Sequence, residues 1–176
     1  MLPGRGNGTF GPGDQSKSAA RPVATTFALT ADLNNDGKLD AIIGDADSQR
    51  PHLIVVPGNG DLSFNQASTV TLTIGPAPLD GVAADFTGDR RTDLAVVTHD
   101  NHGMTVFRNQ GSFSFAEWNM GLGRQVNDLA AADFNRDGKM DLVAASLPTP
   151  TTTSTTGTET PRSCSAGATH SDRRRA

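Results

Sequence analysis

Short apolar runs separated by clusters of Gly, Asn and Asp recur along residues 1–146. Residues 23–31 alternate with a period of two, which is typical of a strand whose two faces have different surroundings. Continuous apolar runs at 41–43, 94–97 and 142–145 are each too short for a helix. The pattern therefore predicts an all-β protein.

Two short motifs alternate along the chain without exception. An Asp-rich motif occurs as DLNNDGKLD at 32–40, DFTGDRRTD at 85–93 and DFNRDGKMD at 133–141. A turn motif rich in Gly and Asn occurs as GNGTF at 6–10, GNGDLSF at 58–64 and NQGSFSF at 109–115. Copies of each motif lie roughly fifty residues apart, which indicates an internal structural repeat.

Each repeat predicts four antiparallel strands. One strand precedes the Asp-rich motif and a second follows it. A third, at 52–56 or 104–107, leads into the Gly/Asn turn, which is a strong hairpin signal. The fourth follows that turn, at 64–74 or 113–120. Four strands in about fifty residues is the size of a β-propeller blade.

The chain is predicted to be a partial β-propeller of four-stranded antiparallel blades, with about two complete blades and two half blades. The predicted segments are the last half of a preceding blade (1–22), a blade with the first loop (23–76), a blade with the second loop (77–124), the first half of a further blade (125–146), and a disordered tail rich in Thr, Ser and Pro (147–176). Because a propeller needs about four or more blades to close, we expect further blades in a longer chain.

Composition narrows the range of partners. The formal net charge is -4, with carboxylates grouped in the body of the chain and arginines in its tail, so nucleic acid is disfavoured and cations are favoured. The single cysteine, Cys164, excludes an intrachain disulfide. No stretch is apolar and long enough to span a membrane, and the first residues contain no secretory signal.

The Asp-rich motifs have the donor pattern of calcium loops. Ca²⁺ takes six to eight oxygen ligands, and ligands at alternate positions of a tightly wound loop can all point inward. In the first loop the predicted ligands at positions 1, 3, 5, 7 and 9 are Asp32, Asn34, Asp36, the backbone carbonyl of Lys38, and Asp40. The corresponding residues are Asp85, Thr87, Asp89, Arg91 and Asp93 in the second loop, and Asp133, Asn135, Asp137, Lys139 and Asp141 in the third.

These loops are not EF-hands. An EF-hand requires a bidentate Glu at position 12, where this chain has Ile43, Val96 and Ala144. The second loop also departs from the pattern, since Thr87 stands at position 3 and Arg90 replaces the glycine at position 6. We therefore expect two to three calcium sites, of which the second is the weakest or empty.

The motifs resemble the FG-GAP or VCBS repeats, a family that includes the β-propeller head of integrin α chains. The first and third loops match the family's Asp loop fully, residues 6–10 match its turn, and the resemblance extends over nearly all of residues 4–146. The resemblance implies a calcium-stabilised propeller on a secreted or surface-exposed protein. An extracellular location also follows from the loops, because cytosol holds too little free Ca²⁺ to neutralise them.

The main functional hypothesis is a non-enzymatic, extracellular binding or adhesion module with a protein or glycan ligand. The alternatives are an accessory propeller of a secreted hydrolase or lyase, and a lectin that stacks a sugar on Trp118, although packing is the favoured role for that residue. A zinc site at His99 and His102 is disfavoured because no third ligand is near in sequence. Asn7 fits a glycosylation acceptor, but hairpin chemistry is favoured. No catalytic residue is predicted, since repeat position accounts for every Asp cluster.

Overall fold

The computed structural model describes residues 2–13, 24–99, 103–123 and 125–146. Within these ranges the chain forms ten β-strands and one turn of 3-10 helix, Gln66–Ser68. The strands are β1 (Thr25–Ala31), β2 (Asp40–Asp45), β3 (His52–Val56), β4 (Val70–Thr73), β5 (Pro78–Ala84), β6 (Asp93–Thr98), β7 (Gly103–Gly111), β8 (Ser114–Gly121), β9 (Asp128–Ala132) and β10 (Asp141–Ala145).

The strands form three separate antiparallel sheets. β1-β2-β3-β4 and β5-β6-β7-β8 are four-stranded sheets in which each strand pairs with the next along the chain, and β9 pairs with β10. The predicted all-β fold, with two complete four-stranded blades, is confirmed. In the part of the chain that the structure describes, the sheets do not close into a barrel.

The N-terminal turn repeats the turn of the first blade. Gly4 and Phe10 form an isolated antiparallel bridge, as Gly58 and Phe64 do. The flanking hydrogen bonds also correspond, since the N–H of Gly11 donates to Pro3 at 2.7 Å and the equivalent bond joins residues 65 and 57 at 2.7 Å. Residues 2–13 therefore form the same kind of bridged turn as the one that follows β3.

Neighbouring blades approach each other mainly along their first strands, β1, β5 and β9, and share apolar clusters that include side chains of the central strands. Every residue of β2 and β6 is buried, because each of these strands has a neighbouring strand on both sides and a packed layer on its faces. One core cluster joins the first blade to the second, with Ile42, Leu53 and Val55 on one side and Val96 and Phe107 on the other. A second cluster joins the opposite face of the second blade to Leu129 and Leu142 of the half blade.

The fourth strand of the first blade is shorter than the predicted 64–74. After the bridge at Phe64, the chain makes its 3-10 turn and only then enters β4. Side chains hold this turn, since Asn65 Nδ2 donates to Ser68 Oγ at 3.0 Å and Thr69 Oγ1 donates to the carbonyl of Gln66 at 2.8 Å. Such local hydrogen bonds compete with strand pairing, which explains the difference.

Several predictions fall on residues beyond the described ones. The disordered tail at 147–176, the first strand residue at 23, and His102 all lie outside the described residues. None of the described helical structure is long and apolar enough to cross a membrane.

Candidate metal-binding loops

Each Asp-rich loop connects the first two strands of its sheet. The first, second and third Asp loops, residues 32–40, 85–93 and 133–141, end on the first residue of β2, β6 and β10. The register pairs that close them are Ala31 with Asp40, Ala84 with Asp93, and Ala132 with Asp141. All three loops therefore leave and re-enter a sheet in the same way.

Two positions in every loop have a left-handed backbone. At position 4, φ is 60° in the first loop (Asn35), 76° in the second (Gly88) and 62° in the third (Arg136). At position 6, φ is 79° (Gly37), 66° (Arg90) and 83° (Gly138) in the same order. Each loop thus places one glycine and one larger residue in this region. A left-handed conformation costs a residue with a Cβ about 1–2 kcal/mol. In the second loop Arg90 has the backbone strain that the sequence predicts at position 6. Gly88 avoids the corresponding strain at position 4, and this compensation was not predicted.

The side chains of the first loop fold back onto its backbone. Asp32 Oδ2 accepts the N–H of Gly37 at 2.8 Å, and its Oδ1 accepts that of Asp36 at 3.2 Å. Asn34 Oδ1 accepts the same Asp36 N–H at 3.0 Å, and Asp36 Oδ1 accepts the N–H of Lys38 at 2.9 Å. The oxygens at positions 1, 3 and 5 are therefore all on the inner side of one tight turn.

The third loop reproduces these contacts at similar distances. Asp133 accepts the N–H groups of Gly138 at 2.9 Å and Asp137 at 3.1 Å. Asn135 Oδ1 accepts the Asp137 N–H at 2.9 Å, and Asp137 accepts that of Lys139 at 2.9 Å. Because sequence pattern, φ values and hydrogen bonds all agree, the first and third loops are two copies of one structure.

Asp40, at position 9, is 0% exposed. Its Oδ2 accepts the N–H of Leu33 at 2.9 Å, and its Oδ1 accepts the N–H of Gly58 at 3.0 Å. Burial raises the pKa of Asp40 above its ordinary value, the two hydrogen bonds oppose this, and the charges of Asp36 and Asp32 add to it. A nearby cation would therefore favour the ionised form.

The position-9 carboxylates also connect each loop to the rest of its sheet. Asp93 accepts the N–H groups of Phe86 at 3.1 Å and Asn109 at 2.8 Å, and Asp141 accepts that of Phe134 at 3.0 Å. In each complete blade one donor to the position-9 carboxylate lies in the Gly/Asn turn, Gly58 in the first blade and Asn109 in the second. The sequence alone predicts only a ligand role for the residue at position 9. The strict alternation of the two motifs was the signal that could have revealed this link.

The second loop contains its own positive charge. Arg91 Nη2 donates to Asp89 Oδ2 at 2.5 Å, and Arg91 Nε donates to the carbonyl of Asn109 at 2.9 Å. The guanidinium therefore neutralises the carboxylate at position 5. In the first and third loops the residue at position 7 is a lysine.

Asp85 is held by a group of backbone donors. Desolvation would raise the pKa of Asp85, but hydrogen bonds from the backbone N–H groups of Arg90, Gly88, Asp89 and Thr87 outweigh it and lower the pKa below its ordinary value. The shortest are those of Gly88 and Arg90, both at 2.7 Å. The carboxylate at position 1 of this loop is thus stabilised as an anion by the loop itself.

The donor chemistry of the first and third loops fits a hard cation. Each offers carboxylate and amide oxygens within one turn, which is the ligand type that Ca²⁺ prefers. Within the described ranges, however, no three Asp, Glu, His or Cys side chains converge closely enough to hold a metal ion. A bound ion would therefore draw carboxylates away from the backbone N–H groups that they now accept.

Trp118 lies on the surface rather than in a core. It is 56% exposed on β8, where it pairs with Val106, and with Arg108, Ala116 and Glu117 it lines a shallow cavity of about 300 Å³. The prediction that this side chain is packed is wrong. Strand β8 is the outer strand of its blade, so the position has no neighbouring strand beyond it.

The remaining sequence candidates have simpler roles. Asn7 Oδ1 accepts the N–H and the hydroxyl of Thr9 at 3.1 and 2.7 Å, so this side chain shapes the N-terminal turn. The N–H of His99 donates to the carbonyl of Ala77 at 2.9 Å at the end of β6.

Comparison with known proteins yields one family. The FG-GAP-like repeat family matches residues 32–96 and again residues 85–144. Each match begins at the first Asp of an Asp loop, and together they span well over half of the 176 residues. No curated protein and no solved structure matches the chain significantly. The resemblance noted from the motifs is therefore confirmed at the level of the family.

Proposed function

This chain belongs to the FG-GAP-like repeat family, and from that membership we propose that it is a non-enzymatic calcium-binding module of a secreted or cell-surface protein. The observation that carries the proposal is the identity of the first and third Asp loops in donor positions, backbone conformation and hydrogen bonds. A loop structure that recurs in two sheets reflects a shared requirement rather than a local accident of turn chemistry.

Calcium would stabilise the fold by neutralising clustered carboxylates. The first loop contains the carboxylates of Asp32, Asp36 and Asp40, and burial together with the charges of Asp36 and Asp32 raises the pKa of Asp40. A bound cation would compensate this clustered negative charge. With a dissociation constant of ~0.1 mM, typical of extracellular modules, ~1 mM Ca²⁺ would add about 1.4 kcal/mol per site. This dependence favours a location outside the cytosol.

The proposed ligand of the module is a protein or a glycan. Beside the first Asp loop, Leu39 is 61% exposed and Leu62 is 51% exposed. With Lys38 and Phe64 they line a cavity of about 420 Å³ between the loop and the Gly/Asn turn. Exposed apolar side chains next to a positive charge form a surface suited to a protein ligand.

A glycan is the second candidate, because Trp118 is exposed between an arginine and a glutamate. An accessible indole offers a stacking face for a sugar ring, and flanking charged groups can bond its hydroxyls. The non-enzymatic proposal is supported by the engagement of the carboxylates of Asp40 and Asp93, each of which accepts two backbone N–H groups.

Isothermal titration of the folded chain with Ca²⁺ tests the proposal. We expect saturable binding with a dissociation constant of ~10⁻⁴ M. Asp32→Ala/Asp36→Ala should remove one site, and Asp133→Ala/Asp137→Ala should remove another. The matched control is Asp128→Ala, an exposed carboxylate outside the loops. A folded chain that takes up no Ca²⁺ would refute the proposal.

A further inference from the structure

Asn109 lies buried at the contact between the first two blades. Its side chain belongs to the second blade, yet Nδ2 donates to the carbonyl of Leu33, in the first Asp loop, at 2.8 Å. The same nitrogen donates to the carbonyl of Thr92 in the second Asp loop at 2.9 Å, and Oδ1 accepts the N–H of Gly111 at 2.8 Å. Only 3% of the residue is exposed. One side chain therefore contacts two Asp loops and the turn that carries it.

The backbone of Asn109 is bound to the second loop as well. Its N–H donates to Asp93 Oδ1 at 2.8 Å, and its carbonyl accepts Arg91 Nε at 2.9 Å. All of its polar groups thus have partners, and most of these partners lie in the Asp loops. Because it is held so fully by the second blade, Asn109 presents its amide to the first blade at a fixed place.

The amide of Asn109 fixes position 2 of the first loop. The side chain of Leu33 is 1% exposed in the core between the blades, and the N–H of Leu33 donates to Asp40 Oδ2 at 2.9 Å. The hydrogen bond from Asn109 to the carbonyl of Leu33 is the third interaction that holds Leu33, after the burial of its side chain and the bond of its N–H. Leu33 stands between Asp32 and Asn34, the candidate ligands at positions 1 and 3.

We propose that Asn109 is a positioning residue for the first calcium site, so that the second blade sets the calcium affinity of the first. The inference rests on the proposed function and deepens it. A loop whose backbone is fixed before the ion arrives loses less conformational freedom on binding, so that only its carboxylates have to turn toward the ion. Partners outside the ligand shell typically contribute about 10–100-fold to metal affinity by orienting the ligands.

The third loop provides an internal comparison. Its sequence and hydrogen bonds match those of the first loop, but Phe134, at the position of Leu33, is 57% exposed. Its position 2 therefore lacks the burial that Leu33 has between two blades. The first loop should bind Ca²⁺ more tightly than the third, although their ligands are equivalent.

The test measures each loop separately in the full chain. Asp133→Ala/Asp137→Ala leaves the first loop to be titrated, and Asp32→Ala/Asp36→Ala leaves the third. Asn109→Ala is then added to each protein, and Ca²⁺ binding is measured by titration calorimetry and by the rise in Tm on adding Ca²⁺. We expect the affinity of the first loop to fall about tenfold, with that of the third loop unchanged.

Two further variants control for unfolding. Asn109→Gly removes the side-chain amide. Glycine already occupies the equivalent position of the first blade, Gly58, and the N–H of Gly58 makes the same bond to the Asp at position 9. Asn119→Ala removes an amide from the outer strand β8 of the same blade, one that accepts a bond from Thr105. Only the Asn109 variants should weaken the first loop.

The outcomes distinguish the inference from the proposed function. Unchanged affinity of the first loop in folded Asn109→Gly, or an equal fall in both loops, would overturn the inference alone. Absence of Ca²⁺ binding in both parent proteins would overturn the proposed function and this inference with it. A selective fall in the first loop supports both.

Discussion

The guanidinium of Arg91 lies 2.5 Å from the carboxylate of Asp89 within the second Asp loop. A positive group therefore lies against the carboxylate at position 5, one of the predicted calcium ligands of this loop. Arg91 is also attached to the carbonyl of Asn109, so moving it would break two contacts. Arg91 thus ties the second Asp loop to the Gly/Asn turn of its own blade.

We therefore expect the chain to bind two Ca²⁺ ions rather than three. The stoichiometry from titration calorimetry checks this number. Thr87→Asn/Arg90→Gly/Arg91→Lys, which restores the residues of the third loop at positions 3, 6 and 7, should add a third site. Wild-type protein that binds three ions would contradict the role assigned to Arg91.

Asp40 should be essential to stability with or without calcium. Asp40→Ala leaves the N–H groups of Leu33 and Gly58 without their acceptor, and an unsatisfied buried donor costs about 1–3 kcal/mol. Since two donors are affected, urea unfolding in EDTA should show a loss of about 2–6 kcal/mol in the free energy of unfolding. Asp40→Asn, which keeps one acceptor oxygen, should lose less.

Asp128→Ala is the control for this measurement, since Asp128 is exposed at the start of β9. Its free energy of unfolding should stay within about 0.5 kcal/mol of the wild type. If Asp40→Ala in EDTA were as stable as the control, position 9 would serve the ion alone and the structural link would be wrong.

Glycine is required at position 58 by its contact with the first loop. A Cβ on Gly58 would lie 2.0 Å from the carbonyl oxygen of Leu39, which is backbone and has no flexible end to move aside. Gly58→Ala should therefore destabilise the protein by about 1–3 kcal/mol in thermal or urea unfolding.

Gly75→Ala is the matched substitution, because a Cβ at Gly75 would meet no atom within 4 Å. It should be neutral or slightly stabilising, since alanine reduces the freedom of the unfolded chain. Equal effects at the two positions would mean that the first loop and the turn move apart in solution.

Trp118 offers a test of the glycan proposal. Since the residue is 56% exposed, Trp118→Ala should change the free energy of unfolding by less than about 0.5 kcal/mol. Glycan-array signals should disappear in this variant and persist in Trp118→Phe, which keeps a stacking ring. Phe10→Ala removes another exposed aromatic ring and should leave the signals intact. Signals that survive Trp118→Ala would exclude this site.

Much of the fold was predictable because its causes are local. The period of two in 23–31, the short apolar runs and the Gly/Asn turns all act on neighbouring residues, so they predict the strands and hairpins from the chain alone. The main error in a strand, at 64–74, arose where Asn65 and Thr69 make local hydrogen bonds that the apolar pattern does not reveal. Exposure of Trp118 was missed because burial on a fourth strand depends on what packs against that strand from elsewhere, which the local pattern does not show.

By itself, the sequence determined the repeat, the blade size and the donor atoms of the Asp loops, since these depend on residue type and spacing. Only the tertiary structure decided what the loops contact. That Asp40 bonds the turn at Gly58 depends on how the strands of one sheet pair, and that Asn109 reaches Leu33 from 76 residues away depends on how two sheets pack against one another. Residues distant in sequence meet there because burial of the apolar blade faces brings them together, and no local pattern specifies which polar groups then become neighbours.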